Sequence, residues 1–364
     1  MISLKHPIHS KSKIHFSNIE QTTIKITPII QDVIYNSKYN FNKTKKIKQN
    51  NKVYNYFISR FCPKKIVNKI LKDFYYYTIY RYNYKNIILD IHLLNNKKYI
   101  DIYDIWILAM KGLTFAYLTN KKNIHINLYY APTSYKKRFN LSSTIKELQP
   151  ININSGFTNF DEDNSYITIF RKEENMKVFI HELIHLLGLD FCFHNQNDIN
   201  KLVKKDYSVE TINDSDKIIT IGNANIFEAY TDAMAIIYNC IFNAILTNSS
   251  VSKIILDEID YQKKVVCKIL KIFNMKHILQ SKNNQNKLIQ KTNVLAYYFI
   301  KYGLMLQPNT FFIMYPLRIQ WTKNKIKKLY IDAKNNLNKI DLSKSCKRIS
   351  FSLRMTKNNI IINN

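Results

Sequence analysis

Small and rigid residues are scarce in this chain of 364: it has 5 Gly and 7 Pro, against usual shares of about 7% and 5%. That scarcity excludes collagen-like sequence, Gly-rich linkers and glycine-dependent phosphate loops. Neither a P-loop nor a G-x-G-x-x-G fingerprint occurs, so nucleotide binding by those routes is excluded. Cysteine is thin as well. Cys62, Cys192, Cys240, Cys267 and Cys346 are scattered, odd in number and never spaced C-x-x-C. They read as reduced thiols of an intracellular protein, not as a disulfide framework. Long apolar runs are missing: the nearest approach, Ala233 to Leu246, is broken by Asn239 and Asn243, so no membrane span is expected. Met1 to Ser10 has no apolar stretch, and no secretory signal is expected.

Arginine is the last scarcity. Of 55 basic residues 7 are Arg, and with 26 acidic residues the net charge is +29. A surface built to bind phosphate draws on the planar, bidentate Arg fork. A chain rich in Lys, Asn, Ile and Tyr and poor in Gly, Ala, Pro and Arg follows A/T-rich codons instead. The charge therefore reads first as a solvated basic surface, with nucleic-acid binding as the alternative. Apolar residues make up 46%, enough for a substantial core.

Residues 1–50, polar and Lys/Asn-rich with a cluster at Lys43, Lys45, Lys46 and Lys48, predict a flexible basic arm. Residues 51–150 predict a helical and strand region: helical from Val53 to Leu118, with the Tyr-rich run Phe74 to Tyr80 as core, then a strand at Asn123 to Tyr130. Residues 151–343 predict a third region, with a strand at Tyr166 to Phe170 and mostly helix from 222 to 335. Residues 344–364 predict a basic tail. The window 151–240 reverses the overall charge, with 14 acidic against 7 basic residues, as a segment holding a cation does; surface carboxylates give the same count.

Within that window stands His181-Glu182-Leu183-Ile184-His185, an H-E-x-x-H. On a helix, residues four apart share a face, so both imidazoles reach one metal ion. Glu182 then sits beside the open metal position, free to take a proton from water and return it to a leaving amine. Glu173 and Glu174 fit the first turn of this helix and Gly188 its end. A catalytic zinc needs a third protein ligand. The spacing of a metzincin ligand falls on Phe191, with Asp190 one residue short and His194 three beyond, so that pattern fails. Glu210 lies in a polar loop and Glu258 in a charged stretch. Glu228 opens an apolar helix with Asp232 one turn on, so Glu228 can ligate while Asp232 accepts the second N–H of a ligating His. The motif makes residues 151–343 the expected zinc-binding catalytic region.

H-E-x-x-H on one helix followed by E-x-x-x-D on the next resembles the gluzincin zinc metallopeptidases, over about residues 155 to 235. More loosely, the run from Ser155-Gly156-Phe157-Thr158 through Ile167 to Glu182 is similar to metallopeptidases encoded by large DNA viruses of A/T-rich genome. The resemblance implies one Zn2+ held by His181, His185 and Glu228, Glu182 as general base and acid, and Asp232 as orienter. It also implies Tyr166 to Phe170 as the edge strand that pairs with an extended peptide, and an oxyanion donor for which Tyr297 or Tyr298 is the candidate.

The expectation is thus an α+β fold: a small mixed sheet packed on the H-E-x-x-H helix, then a mainly helical C-terminal lobe, with the zinc cleft between. The expected function is zinc-dependent hydrolysis of a peptide or protein substrate through a zinc-activated water. The expected location is a reducing intracellular compartment, the host cytoplasm or virion if the chain is viral. The alternative is a basic, non-catalytic, nucleic-acid-associated or structural virion-type protein with a degenerate metal site.

Overall fold

A buried helix stands where the composition predicts a flexible arm. In the computed structural model, which describes residues 16–41, 44–48, 51–96, 102–120, 122–139, 147–161, 164–212, 218–219, 225–279, 286–340 and 353–357, Ser17–Asn36 forms α1. Ile19, Ile26, Ile30 and Val33 recur on one face at helical spacing and are buried in the main core. Each such aliphatic side chain gains about 1.5–3 kcal/mol on leaving water, which fixes this stretch to the body whatever the polarity of its other face. Lys38–Phe41 (β1) and Lys45–Lys46 (β2) then join a sheet. Of the expected basic cluster, Lys43 lies outside the described residues.

A 3-10 turn at Lys52–Phe57 and the helix Lys64–Asp73 (α2) lead into a second departure. The Tyr-rich stretch expected to be helical is a hairpin, Tyr76–Tyr84 (β3) and Ile87–Asn95 (β4), antiparallel in register from Tyr76↔Asn95 to Tyr84↔Ile87. Tyr80, Tyr82 and Tyr84 are buried at alternate positions with Arg81 exposed between them, a period of two that a helix cannot satisfy. Lys85 makes the tight turn at φ 51°. Next come Ile102–Thr119 (α3), the last part of the stretch expected to be helical from Val53 to Leu118, and Ile124–Thr133 (β5), against the expected Asn123 to Tyr130. A single turn at Pro150–Ile153 (α4) precedes Gly156–Asn159 (β6) and Tyr166–Arg171 (β7).

The fold is mixed α/β around a mixed sheet of seven strands in the order β1-β3-β4-β5-β7-β6, with β2 also on β3. β4, β5 and β7 run parallel, while β3 and β6 pair antiparallel to their neighbours. Strands from both sides of residue 150 share this one sheet, so the expected boundary between 51–150 and 151–343 is not a domain boundary. Alternation along the strands gives the sheet two buried faces. Leu128 and Tyr130 of β5 face the main core, whereas Tyr129 and Ala131 face a smaller one made with Phe57, Ile66 and Ile70.

On the main face lie Asn175–Leu186 (α5), Asn197–Asp206 (α6), Ile226–Leu246 (α7) and Val251–Ile272 (α8). A small second sheet joins Val209–Ile212 (β8), Ile218–Ile219 (β9) and Leu288–Gln290 (β10). A π-helical turn at Leu295–Ile300 runs into Lys301–Met305 (α9), followed by Pro308–Met314 (α10) and Lys323–Asn338 (α11). α7 is long and apolar enough to cross a membrane by length and composition, yet 89% of its most apolar window is buried inside the protein. It is a core helix. The asparagines that interrupt it, Asn239 and Asn243, accept hydrogen bonds from the buried Lys111 of α3.

Candidate metal centre and cleft

α5 is buried on every side, from Asn175 to His185, so its polar residues need partners within the protein. Its end is set by Gly188 at φ 61°. Gly188 N–H donates to His185 O and Leu189 N–H to Ile184 O, the paired bonds of a Schellman ending. That reversal brings Asp190 back beneath the helix, where its Oδ2 stands 2.5 Å from His185 Nδ1. Glu173 and Glu174 stand ahead of the helix rather than in its first turn, Glu174 being the cap residue at φ 65°.

His181 and His185 turn their Nε2 atoms toward each other at 3.1 Å. Glu228, in the first turn of α7, places Oε2 3.1 Å from His181 Nε2 and 3.4 Å from His185 Nε2. One donor atom from each of the three lies within 4.8 Å of the others, an arrangement able to hold a metal ion. Burial disfavours an ionised carboxylate, but hydrogen bonds from both imidazoles hold Glu228 well below the usual range. Tyr297 Oη–H donates to the same Oε2 at 3.0 Å, and Asn293 Nδ2 donates to Oε1 at 3.4 Å.

The outer nitrogens of both histidines face carboxylates. His185 Nδ1 has Asp190, itself fixed by Thr231 Oγ1–H at 3.0 Å and by the N–H of Cys192. His181 Nδ1 lies 3.2 Å from Asp232 Oδ1, poorly aligned for a hydrogen bond. Asp232 is pulled elsewhere: Lys177 Nζ donates to its Oδ1 and Lys301 Nζ to its Oδ2 at 2.9 Å, all three side chains being at most 2% exposed. Burial opposes the charge on both histidines, yet Asp190 raises His185 well above the ordinary imidazole range, and Asp232 and Glu228 raise His181.

Glu182 does not join the triad. Thr158 Oγ1 of β6 lies 2.9 Å from Glu182 Oε2 and 3.0 Å from its carbonyl oxygen, so the hydroxyl hydrogen bonds the residue whose carboxylate borders the cleft. Burial pushes the Glu182 carboxyl up. β6 comes this close because residue 156 is glycine: a Cβ there would stand 2.8 Å from Thr168 O, 2.9 Å from Val178 Cγ1 and 3.5 Å from Glu182 Oε1. A cleft of about 440 Å³ opens over these groups, bordered by β6, α5, the start of α7 and Tyr297.

The structure thus brings together His181, His185, Glu228, Glu182, Asp232 and Tyr297. It leaves Tyr298 out, since that hydroxyl donates to Leu353 O. The expected edge strand is corrected: β7 is flanked by β5 and β6, and among the described residues the free edge beside the cleft is β6, Gly156–Asn159. Among the residues weighed as other ligands, Glu210 pairs with Lys287, Glu258 is hydrogen bonded by Thr356, and His194 lines a separate small cavity. The expected basic tail is corrected in its described part. Leu353, Met355 and Thr356 are buried, Thr356 N–H donates to Glu174, and Met355 lines the cleft.

Asp190, Thr158, Asn293, Lys177 and Lys301 were not assigned these roles by sequence reasoning. Lys177-x-x-x-His181 and Tyr297-x-x-x-Lys301 repeat the one-turn spacing of the motif and carried a signal. Thr158 depends on a strand crossing that no local pattern gives, and Asp190 on the chain reversal at the helix end that Gly188 signals. Comparison with protein families, curated proteins and solved structures finds no match for this chain.

Proposed function

We propose that this chain is a zinc-dependent peptidase of gluzincin type. The observation that carries the reading is the donor set: two imidazole Nε2 atoms and one carboxylate oxygen converge, with both Nδ1 atoms facing carboxylates and a fourth group, Glu182, held aside. A carboxylate at Nδ1 keeps the proton there, which leaves Nε2 as the lone pair for a metal. Two nitrogens and one oxygen with an open side suit catalytic zinc.

Zinc bound there supplies a Lewis acid that polarises a substrate carbonyl and makes a water more acidic. Glu182 takes the proton of the attacking water on its carboxylate and passes it to the leaving nitrogen, a task suited to a carboxyl whose burial raises its proton affinity. Thr158 fixes the direction from which that carboxylate acts. Burial keeps the Tyr297 hydroxyl protonated well above neutral pH, so it remains a hydrogen-bond donor beside the triad. The free edge of β6 offers backbone groups to an extended peptide.

Elemental analysis of purified wild type, His185→Ala, Glu228→Ala and Glu182→Gln, followed by a peptide-library digest, tests the reading. About one zinc per chain in wild type and Glu182→Gln, lost in the other two, with cleavage abolished by Glu182→Gln, is the expected result. A folded wild type that takes up no zinc on reloading would refute it. Steeply salt-dependent nucleic-acid binding by that zinc-free protein would favour the basic, non-catalytic alternative.

A further inference from the structure

The cleft wall between β6 and the start of α5 carries charge that the metal triad does not use. Lys137 and Lys177 both line the cleft, with side chains 1% and 2% exposed. Lys137 pairs with Glu174 at 2.6 Å, and Lys177 and Lys301 share Asp232. Three ammonium groups and the buried Arg171 guanidinium thus stand among three carboxylates: Asp232, which also faces His181, Glu174, and Glu173, which accepts the Lys137 N–H at 2.7 Å. Glu258, the next acid along, is hydrogen bonded by Thr356, the Lys357 N–H and Gln262. Arg60 adds a further cation to the lining. Glu182 and Glu228 belong to the ion site, where a divalent cation offsets them.

A second observation points to a ligand. Ser155, also in the lining, is 4% exposed, and its hydroxyl has no hydrogen-bond partner among the described residues. Buried polar groups are normally paired, and an unpaired hydroxyl lining the same cleft as the Lys137 and Lys177 ammonium groups is a donor awaiting an anionic acceptor.

Resting on the peptidase reading, we propose that Ser155, Lys137 and Lys177 form a subsite for a substrate carboxylate, so that the enzyme cleaves peptides presenting an acidic group beside the scissile bond. Ser155 Oγ–H donates to the carboxylate and the two ammonium groups balance its charge, while a Lys or Arg at the same place is repelled. The carboxylate has two sources: an Asp or Glu side chain, or the free C-terminus of a short peptide.

Zinc-loaded full-length protein is assayed against peptides varying Asp/Glu against Asn/Gln beside the scissile bond, and C-terminal acid against amide. The acid form is expected to exceed its amide by about 10- to 100-fold in kcat/KM, the weight of a charge-assisted hydrogen bond in a desolvated site. A side-chain preference and a C-terminal preference identify the two sources; equal rates, or a preference for neutral or basic residues, overturn the subsite. Ser155→Ala and Lys137→Met should each shrink the ratio about tenfold. Because Lys137→Met strands Glu174, the paired variant Lys137→Met/Glu174→Gln is measured beside it, and a ratio unchanged in both Ser155→Ala and the paired variant also overturns the proposal. If no peptide is cleaved, the peptidase reading fails separately. Calorimetry with N-acetyl-aspartate and N-acetyl-asparagine then decides the subsite: tighter binding of the acid by tenfold or more supports it, and equal or absent binding overturns it.

Discussion

Replacing Asp190 and Asp232 separately by Asn distinguishes two carboxylates that lie behind the metal triad but are bound differently. Asp190 Oδ2 is 2.5 Å from His185 Nδ1, and among the described residues Asp190 pairs with no basic side chain other than that histidine. An amide at 190 has a single acceptor oxygen, so it keeps the bond from Thr231 or the one from Cys192 N–H but not both, and it loses the charge that orients His185. Loss of an orienting carboxylate typically costs 10- to 100-fold in metal affinity, about 1.4–2.7 kcal/mol. The metal-free fold should suffer less, because His185 can shed its proton at ordinary pH. Asp232 is the reverse case. Its bond to His181 is 3.2 Å and poorly aligned, whereas it is the carboxylate on which Lys177 and Lys301 both converge at 0–2% exposure. Breaking a buried ion pair from one side costs about 3–5 kcal/mol, so Asp232→Asn should lower the melting temperature of the metal-free protein by several degrees or prevent folding. The assays are zinc titration against a chromophoric chelator and thermal melting of the stripped protein. Asp190→Asn binding zinc within twofold of wild type, or Asp232→Asn melting as wild type does, would refute the reasoning.

Gly156→Ala should destabilise by about 1–3 kcal/mol, because a Cβ at 2.8–2.9 Å from Thr168 O and Val178 Cγ1 forces β6 outward. Its zinc content should stay at wild-type level, since all three ligands lie on α5 and α7; a melt unchanged from wild type contradicts the close approach. Lys111 is 1% exposed and burial lowers its ammonium to about 7, below the ordinary value near 10.4. Between those values the folded state releases a proton that the unfolded state keeps, so stability rises with pH across this window by about 1.4 kcal/mol per unit. Lys111→Met should lack that slope in denaturant midpoints from pH 7.5 to 9.5, and parallel curves for the two proteins would rule the assignment out. His181 and His185 are shifted the other way. Their raised values stabilise the metal-free protein below pH 6.5, and this contribution is lost as pH rises through them. Zinc must displace those protons, so its affinity should fall on acidification and its binding should release protons in calorimetry with buffers of differing ionisation enthalpy. Affinity flat from pH 8 to 6 would be inconsistent with protonated imidazoles.

What the sequence made legible is what lies within a turn or two of itself. His181, Glu182 and His185 stand on one helix, and Glu228 and Asp232 on another, so spacing alone relates the members of each set, while the meeting of the two helices is a tertiary contact. β5 and β7 were legible because Ile126, Leu128, Ile167 and Ile169 alternate with polar or aromatic neighbours. The Tyr-rich hairpin misled because tyrosine is apolar enough to count as core at any period, and the deciding feature is the exposure of Arg81 between buried tyrosines. α1 misled for the opposite reason. Its buried Ile19, Ile26, Ile30 and Val33 are diluted by polar residues, and their burial depends on α3, α7 and α8, which no local window contains. The position of β7 inside the sheet was likewise invisible, since strand order is a property of pairings far apart in the chain.

The acidic window shows how a local count becomes a site. Its carboxylates at Glu173, Glu174, Glu182, Asp190 and Asp232 are buried, and Glu228 is nearly so. Asp190, Asp232 and Glu228 face imidazoles, Glu182 borders the cleft, and Glu174 and Asp232 are balanced by Lys137, Lys177 and Lys301. A chain with few arginines builds this inner layer from point-charge ammonium groups that cannot fork across two oxygens. Asp232 therefore needs two lysines where one guanidinium would cover both its oxygens, and it is left poorly aligned toward His181. Asp190, free of that competition, takes the tighter hold on its histidine. The relative strength of the two supports thus follows from which cation each carboxylate must share, and not from the H-E-x-x-H pattern that drew attention to the site.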